Sequence, residues 1–177
     1  MRIVAGNLRH RNINMTNLET TRETQDKVRG AIYNMIGPYF SGGNCLDLFT
    51  GSGAMAIEAY SRGMSHIYLN DLNKEALNVA KNNCTSLGIK AATFYNLDYK
   101  ECINRLNHKM DLIILDPPYK MDNISEILDT VYSICNRNCL IVFEMGIDSK
   151  YPEEFTGLRL IKNKTYGIKR VVIYEKE

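Results

Sequence analysis

The sequence has no apolar run near the ~18 residues a membrane-spanning helix requires, no internal repeat, no low-complexity segment and no linker rich in Pro, Gly or Ser. These absences exclude a helical membrane anchor, a repeat array and domains strung on a flexible tether. The opening Met-Arg-Ile-Val-Ala-Gly is too short in its apolar part for a secretory signal. An excess of one charge is also lacking: 22 Lys+Arg face 20 Asp+Glu, and the sum of +2 says little about partners. A zinc set is missing as well. Of five cysteines (Cys45, Cys84, Cys102, Cys135, Cys139), only Cys135 and Cys139 lie four apart, and neither a second pair nor a histidine cluster completes a site. An odd cysteine count in a chain too large to need disulfide staples predicts reduced, mostly buried thiols in a cytoplasmic protein. What is present is the composition of a folded chain. Apolar residues make up 45% and charged residues 24%, enough to bury a core and exclude disorder. The 177 residues fit one domain.

Charge is distributed unevenly. Residues 1–37 carry six basic side chains (Arg2, Arg9, Arg11, Arg22, Lys27, Arg29) against three acids. Residues 38–123 hold eight basic and nine acidic. Between Phe155 and Tyr174 there are five basic residues (Arg159, Lys162, Lys164, Lys169, Arg170) and no acid. Basic ends about a neutral middle suggest a polyanion held at the edges, although a solvated surface would have the same composition.

Periodicity predicts the elements. Arg2–Asn14 reads as short strands about a turn at Gly6-Asn7. Val28, Ala31, Ile32, Met35 and Ile36 form one helical face over Thr24–Ile36, with Thr24 as N-cap and Gly37-Pro38 as stop. From Asn44 strands and helices alternate. Strand Cys45–Phe49 precedes a helix from Ala54 to about Arg62, and strand His66–Asn70 a helix over Asn73–Leu87. Strand Ala91–Asn96 precedes a helical stretch near Asp98–Leu106, and strand Leu112–Leu115 a helix near Ile124–Cys135. Strand Cys139–Phe143 closes the series, and Arg159–Lys164 with Lys169–Tyr174 reads as a terminal hairpin. This pattern predicts a doubly wound α/β sheet, mostly parallel, with antiparallel strands added at one edge. Such sheets bind ligands at the carboxyl ends of their strands.

The chemistry-bearing residues fall at those ends. Asp47-Leu48-Phe49-Thr50-Gly51-Ser52-Gly53 links a buried strand to a helix. Its glycines admit close approach to the backbone, and Asp47 can hold a loop N–H or a ligand ammonium. The stretch from Gly51 also fits a G-x-G-x-x-A dinucleotide pattern, and a plain turn would use the same glycines. Asp71, eighteen residues past Gly53, stands where a carboxylate accepts from both hydroxyls of an adenosine ribose, or where an acid precedes a helix start. Asp98 suits an adenine amino group or a helix N-cap. Asp116-Pro117-Pro118-Tyr119 discriminates best. Two prolines remove two N–H donors, so Asp116 and the Pro117 carbonyl can both accept from a planar exocyclic amine. That frees the nitrogen lone pair for an electrophile, and Tyr119 can stack on the base bearing the amine.

Asp47–Gly53, Asp71, Asp98 and Asp116–Tyr119, in this order and spacing, resemble class I S-adenosylmethionine-dependent amino-methyltransferases. The head narrows the resemblance. Met-Arg-Ile-Val-Ala-Gly, then Thr21-Arg22-Glu23-Thr24-Gln25-Asp26-Lys27-Val28-Arg29, then Ala31-Ile32-Tyr33-Asn34, looks like the bacterial 16S rRNA guanine-N2 methyltransferase family, the RsmD-like group. Phe143-Glu144 and Lys164-Tyr166-Gly167 belong to the same likeness. The chain departs from the pattern at Glu23, where the family has proline, at Gly30 in place of glutamate, and at His10, where glycine is common.

The resemblance implies one Rossmann-like methyltransferase domain of seven strands over residues 1–177, with a short β/α extension over 1–37 ahead of the catalytic sheet. It implies S-adenosylmethionine as cofactor and no metal. Asp47, Thr50, Gly51, Ser52 and Gly53 would surround its methionine part and ribose, and Asp71 with Leu72 would hold the ribose hydroxyls. Leu97 and Asp98 would bracket the adenine, while Arg22 and Thr24 would close the cofactor end. Asp116, Pro117, Pro118 and Tyr119 would hold the target guanine. Arg2, Arg9, Arg11, Lys27, Arg29, Lys162, Lys164 and Lys169 would follow the RNA backbone. The implied partner is 16S rRNA, within a partly or fully assembled small subunit, met by a monomer.

Other readings compete. An adenine-N6 or cytosine-N4 methyltransferase would use the same acceptors. Protein-glutamine methylation usually has Asn in place of Asp116. An NAD oxidoreductase would need a catalytic Tyr-Lys or histidine site, and His10, His66 and His108 fall outside the loops over the strand ends. A non-catalytic RNA-binding or assembly module would not need both the glycine loop and Asp116–Tyr119.

Overall fold

A computed structural model of the chain describes residues 1–16, 26–118, 121 and 123–177. Arg22, Thr24 and Tyr119 lie outside the described residues. The elements are α1 Asp26–Ile36, β1 Asn44–Asp47, α2 Ala54–Ser61, β2 His66–Asn70, α3 Lys74–Ser86, β3 Ala92–Tyr95, α4 Tyr99–Arg105, β4 Met110–Leu115, α5 Ile124–Tyr132, β5 Cys135–Gly146, β6 Leu158–Tyr166 and β7 Lys169–Lys176. They build one seven-stranded sheet in the order β3-β2-β1-β4-β5-β7-β6. The first five strands in that order pair in parallel. β7 and β6 extend the edge antiparallel. This is the doubly wound sheet with a terminal hairpin that the alternation predicts.

The central strands are apolar on both faces because helices cover both. Cys45, Ile67, Leu112 and Val142 pack on the α1–α2–α3 side, while Leu46, Ile113 and Ile141 pack on the α4–α5 side. All five cysteines are free and buried. Strand order reverses between β1 and β4, so the loops after these strands diverge and leave a crevice at their carboxyl ends.

Two expectations are corrected here. The helix read to Cys135 ends at Tyr132, and the next strand begins at Cys135 rather than Cys139. Cys135 pairs with Met110, and the strand then kinks at Asn138 (φ 63°) before resuming register at Leu140. The N-terminal strands reduce to a single bridge, Arg2 to Asn12. The turn between them requires Gly6, whose φ is 83° and where a Cβ would lie 1.8 Å from the Ser61 carbonyl oxygen. His10 also adopts a left-handed φ of 70°, the conformation that glycine takes without strain.

The head is fastened by a buried carboxylate. Glu58 of α2 accepts the N–H groups of Val4 and Ala5, both at 2.9 Å, and Nε–H of Arg29 (3.2 Å) and of Arg62 (2.8 Å). Arg29, expected along the RNA backbone, is instead wholly buried. Its guanidinium joins Glu58, Asp26 and the Arg2 carbonyl, and it ties α1 to the head and α2.

Candidate active site

The loop after β1 is folded back by its own backbone. Thr50 N–H donates to the Asn70 carbonyl (2.9 Å), and Gly53 N–H donates to the Thr50 carbonyl (2.8 Å). Gly51, at φ 54°, turns its N–H onto Asp71 Oδ2 (2.9 Å), while Asp71 Oδ1 accepts Asn73 N–H (2.8 Å). Asn73 then caps α3, accepting from Glu75 and Ala76. Asp71 therefore organises two loops and still faces the crevice. Asn70 is the less obvious organiser. Buried at the end of β2, it donates to the Leu48 and Leu97 carbonyls and accepts Leu97 N–H, which binds the loops after β1 and β3 together. Asp98 caps α4 through Lys100 N–H (3.0 Å), the N-cap reading, and it also stands on the crevice wall.

These loops enclose a cavity of about 400 Å³, within the size range of small-molecule sites. Strand order sets its lining in sequence. Asp71, Leu72, Leu97, Asp98 and Tyr99 follow β2 and β3 at one end, and Asp47, Phe49, Thr50, Gly51 and Ala54 belong to the end of β1 and the start of α2. Asp116, Pro117, Pro118 and Met121 follow β4 at the other end, with Lys169 of β7. Ten of the expected cofactor and catalytic residues thus share one cavity: Asp47, Thr50, Gly51, Asp71, Leu72, Leu97, Asp98, Asp116, Pro117 and Pro118.

Two others do not line it. Gly53 (φ 83°) packs helix on strand, since a Cβ there would lie 3.2 Å from Ala80 Cβ and Leu69 Cδ2. Ser52 is buried, and its carbonyl accepts from Asn83 Nδ2–H (2.9 Å). Arg2, Arg9, Arg11, Lys27, Lys162 and Lys164 are exposed. Lys169 is corrected from an RNA-facing cation to a cavity residue: its Nζ lies 3.1 Å from Glu144 Oε2 and 3.4 Å from Asp116 Oδ2.

The electrostatics follow from burial. Asp47 is 2% exposed and accepts a long bond from Ala56 N–H (3.3 Å). Desolvation pushes its carboxyl up to about 7, Thr50 and Ala56 oppose the push, and the charges of Asp71 and Glu144 add to it. The Thr50 hydroxyl is close enough to act on Asp47, yet among the described residues it is a buried polar atom that closes no hydrogen bond. Asp71 is also raised by burial, against the two N–H groups it accepts. Asp116 is raised first by desolvation and then by Glu144, with Lys169 holding it down, while its side chain stays about 30% open to the cavity. Four carboxyl groups and one ammonium therefore line the cavity. Such a site suits a ligand carrying positive charge.

Phe49, Asn70, Tyr99, Met121 and Glu144 were missed by sequence reasoning. Only Glu144 carried a signal: like Asp47 and Asp116, it is an acid directly after an apolar strand segment.

The model of the family described as Conserved hypothetical protein 95 matches residues 1–175. YlbH of Bacillus subtilis, whose name marks it as a candidate rRNA methyltransferase, is 36% identical over 182 residues, covering 99% of each chain. Ribosomal RNA small subunit methyltransferase D of Haemophilus influenzae is 32% identical over 187 residues, 99% of this chain and 93% of the relative. A solved Streptococcus pyogenes protein described as conserved hypothetical superposes with a TM-score of 0.81 at 38% identity, covering 85% of this chain and 96% of that one. An Escherichia coli structure shares the fold at a TM-score of 0.88 and 23% identity, covering 100% and 98%.

Proposed function

The chain belongs to the Conserved hypothetical protein 95 family, the RsmD-like class I methyltransferases, and on that premise we propose that it methylates the exocyclic N2 amine of a guanine in 16S rRNA, using S-adenosylmethionine. The observation that carries the reading is the position of Asp116-Pro117-Pro118 at one end of the cavity whose other end holds Asp71, Leu97 and Asp98. An amine acceptor and an adenosine-type site thus face each other across one space.

The residues present fit the cofactor. Asp71 offers the remaining lone pairs of its carboxylate to ribose hydroxyls, and Leu97, Asp98 and Phe49 border the space for an adenine. Asp47 and the Thr50 hydroxyl, which closes no hydrogen bond among the described residues, would hold the methionine ammonium and its surroundings. When bound, S-adenosylmethionine supplies an electrophilic methyl group on a sulfonium, whose positive charge the surplus of carboxylates matches. Asp116 and the Pro117 carbonyl accept the two amine hydrogens and aim the nitrogen lone pair along the cavity. No strong base is needed at the start, because the amine becomes acidic once the N–C bond has formed. Its proton then leaves toward Asp116 or water.

A base reaches such a recessed site only when flipped out or unpaired. The exposed Arg2, Arg9, Arg11, Lys27, Lys162 and Lys164 supply the backbone contacts. Small ribosomal subunits as partner, a monomeric enzyme and the cytoplasm as its compartment complete the proposal. Among the described residues, no helix is long and apolar enough to cross a membrane.

The test uses small subunits from cells lacking this chain, labelled S-adenosylmethionine and a nucleoside digest. N2-methylguanosine at one site is expected, and N6-methyladenosine or N4-methylcytidine would overturn the choice of base. Asp116→Ala should lower transfer by at least ~100-fold, the scale set by losing a positioned acceptor, while cofactor affinity changes only a few-fold.

A further inference from the structure

We propose that Lys169, held by the buried Glu144, reads the carbonyl oxygen of the target base and makes the site choose guanine over adenine and cytosine. The inference rests on the amino-methyltransferase reading above and adds a determinant of its substrate.

The arrangement follows from sheet register. Leu115 of β4 pairs with Phe143 of β5, so Asp116 stands level with Glu144. Across the antiparallel edge Glu144 pairs with Val171 and Gly146 with Lys169. Side chains alternate along a strand, so Glu144, Val171 and Lys169 emerge on one face. The long stem of Lys169 then brings its ammonium between two carboxylates, 3.1 Å from Glu144 Oε2 and 3.4 Å from Asp116 Oδ2. Glu144 is fully buried, and the Lys169 side chain is only 16% exposed. A lysine on the antiparallel edge has thus been drawn into the active site, where Asp116, Pro117, Met121, Phe143, Glu144 and Lys169 line a recess.

The order of groups along its wall is what matters. Asp116 Oδ1 has no donor among the described residues, Oδ2 lies beside it, and the Lys169 ammonium lies beside Oδ2. The wall therefore presents acceptor, acceptor, donor. The Watson–Crick edge of guanine presents the complementary row: the N2 amine donates, N1–H donates and O6 accepts. Adenine offers its N6 donor followed by the N1 acceptor, and cytosine its N4 donor followed by two acceptors. Either would set a lone pair against Asp116 Oδ2, and a buried mismatch of this kind is costly. Beside Asp116 Oδ2, Lys169 supplies the donor that can reward an oxygen at the third place. It also opposes the rise that burial and Glu144 impose on the Asp116 carboxyl, and so works toward the ionised form that both acceptor contacts require. Glu144 is the positioning residue: it directs the ammonium and balances its charge.

The experiment first maps the methylated nucleotide with the wild-type enzyme and small subunits from cells lacking this chain. Subunits are then reconstituted with 16S rRNA carrying guanine or 6-thioguanine at that position. The thio base keeps N1–H and the N2 amine and weakens only the acceptor at position 6. Lys169→Met should lower the methylation rate on the guanine subunit by about 10- to 100-fold, the worth of one charge-assisted hydrogen bond. S-adenosylmethionine affinity should stay within a few-fold by calorimetry, which also reports that the variant is folded. The thio substitution should slow the wild type by ~10-fold and Lys169→Met hardly at all, because the partner of that atom is already gone. Glu144→Gln should show the same loss of coupling in smaller measure, and Lys169→Arg should restore part of the rate. Equal slowing of wild type and Lys169→Met by 6-thioguanine would overturn the assignment, as would an undiminished rate for Lys169→Met. A wild-type product other than N2-methylguanosine, seen before any variant is made, would instead refute the underlying choice of base.

Discussion

Glu58→Ala should loosen the head without touching the catalytic cavity, and its cost can be worked from the contacts. The two carboxylate oxygens accept four N–H groups, from Val4, Ala5, Arg29 and Arg62, at 2.8–3.2 Å. Removing them strands two guanidinium groups whose side chains are 0% and 2% exposed. Leaving a buried charge without its partner costs about 3–5 kcal/mol. Other contacts place this case toward the lower figure. Arg29 keeps Asp26 and the Arg2 carbonyl, and Arg62 keeps the Pro38 carbonyl and the face of Tyr33. In a chain of this length each kcal/mol moves Tm by roughly 2–4 °C. Thermal unfolding followed by circular dichroism should therefore show a fall of roughly 6–12 °C, with Val4 and Ala5 amides losing protection from hydrogen exchange. Arg105→Ala is the control, because it breaks an ion pair at 2.8 Å whose partners are 61% and 51% exposed. Such a pair contributes at most about 1 kcal/mol. If Glu58→Ala melts within ~2 °C of Arg105→Ala, less than one kcal/mol separates them and the buried carboxylate does not fasten the head.

Burial holds the Asp47 carboxyl at about 7, whereas the unfolded chain titrates it near ~3.9. The folded state therefore keeps a proton that the unfolded state has lost, and stability of the ligand-free protein should fall as pH rises from ~4 to about 7. The same proton opposes a cationic ligand, so S-adenosylmethionine affinity should rise with pH through about 7 with proton release. Calorimetry in buffers of different ionisation enthalpy measures this, and Asp47→Asn should flatten both dependences; a slope that survives it belongs to another group. Gly53→Ala should cost about 1–3 kcal/mol, from the left-handed φ and the 3.2 Å approach to Ala80 and Leu69. It should lower Tm with little change in cofactor affinity, and the opposite pattern would return Gly53 to the binding loop. Replacing Arg9, Arg11, Lys162 and Lys164 with Gln should weaken 16S rRNA binding and flatten its salt dependence by ~0.7–0.9 for each phosphate no longer neutralised. An unchanged slope would mean that these cations are only solvated surface.

The alternating units were legible because the central strands are buried on both faces and helices such as α1 on one. The runs Cys45–Leu48 and Leu112–Leu115 therefore differ visibly from the amphipathic Val28–Ile36. The acids at strand ends were legible for a related reason: Asp47, Asp71 and Asp116 each interrupt an apolar run where a loop must begin. The α5–β5 boundary was not, since Ile134 and Cys135 continue the helical spacing while their backbone already serves the sheet. Met110 N–H donates to the Ile134 carbonyl, and Cys135 pairs with Met110. Asn70 and Glu144 escaped because their importance lies in partners far along the chain, Leu97 and Lys169. Arg29 and Lys169 were misread through one assumption, that a basic residue in a basic segment faces water. Each is matched by a distant acid, Arg29 by Glu58 across α1 and α2 and Lys169 by Glu144 through sheet register.

This matching changes what the basic ends can do. Of the five cations between Phe155 and Tyr174, Lys169 turns into the cavity and Arg159 pairs with Glu175. Arg170 is taken up by Asn163, the Tyr151 hydroxyl and the Ile147 carbonyl. Lys162 and Lys164 are left exposed and, among the described residues, without an ion pair. In the head Arg29 is consumed by the buried network, leaving, among the described residues, Arg2, Arg9, Arg11 and Lys27 at the surface. Six neutralised phosphates at ~0.7–0.9 each limit the salt slope contributed by these residues to roughly 4–5. A grip of that size gives affinity for any RNA but little choice among sites. On the proposed reading, choice comes from the shape of the substrate around the flipped base and from the edge of that base, met by Asp116 and Lys169. On that reading the protein gathers its charge where it discriminates and, among the described residues of its two basic ends, keeps a thin rim where it holds on.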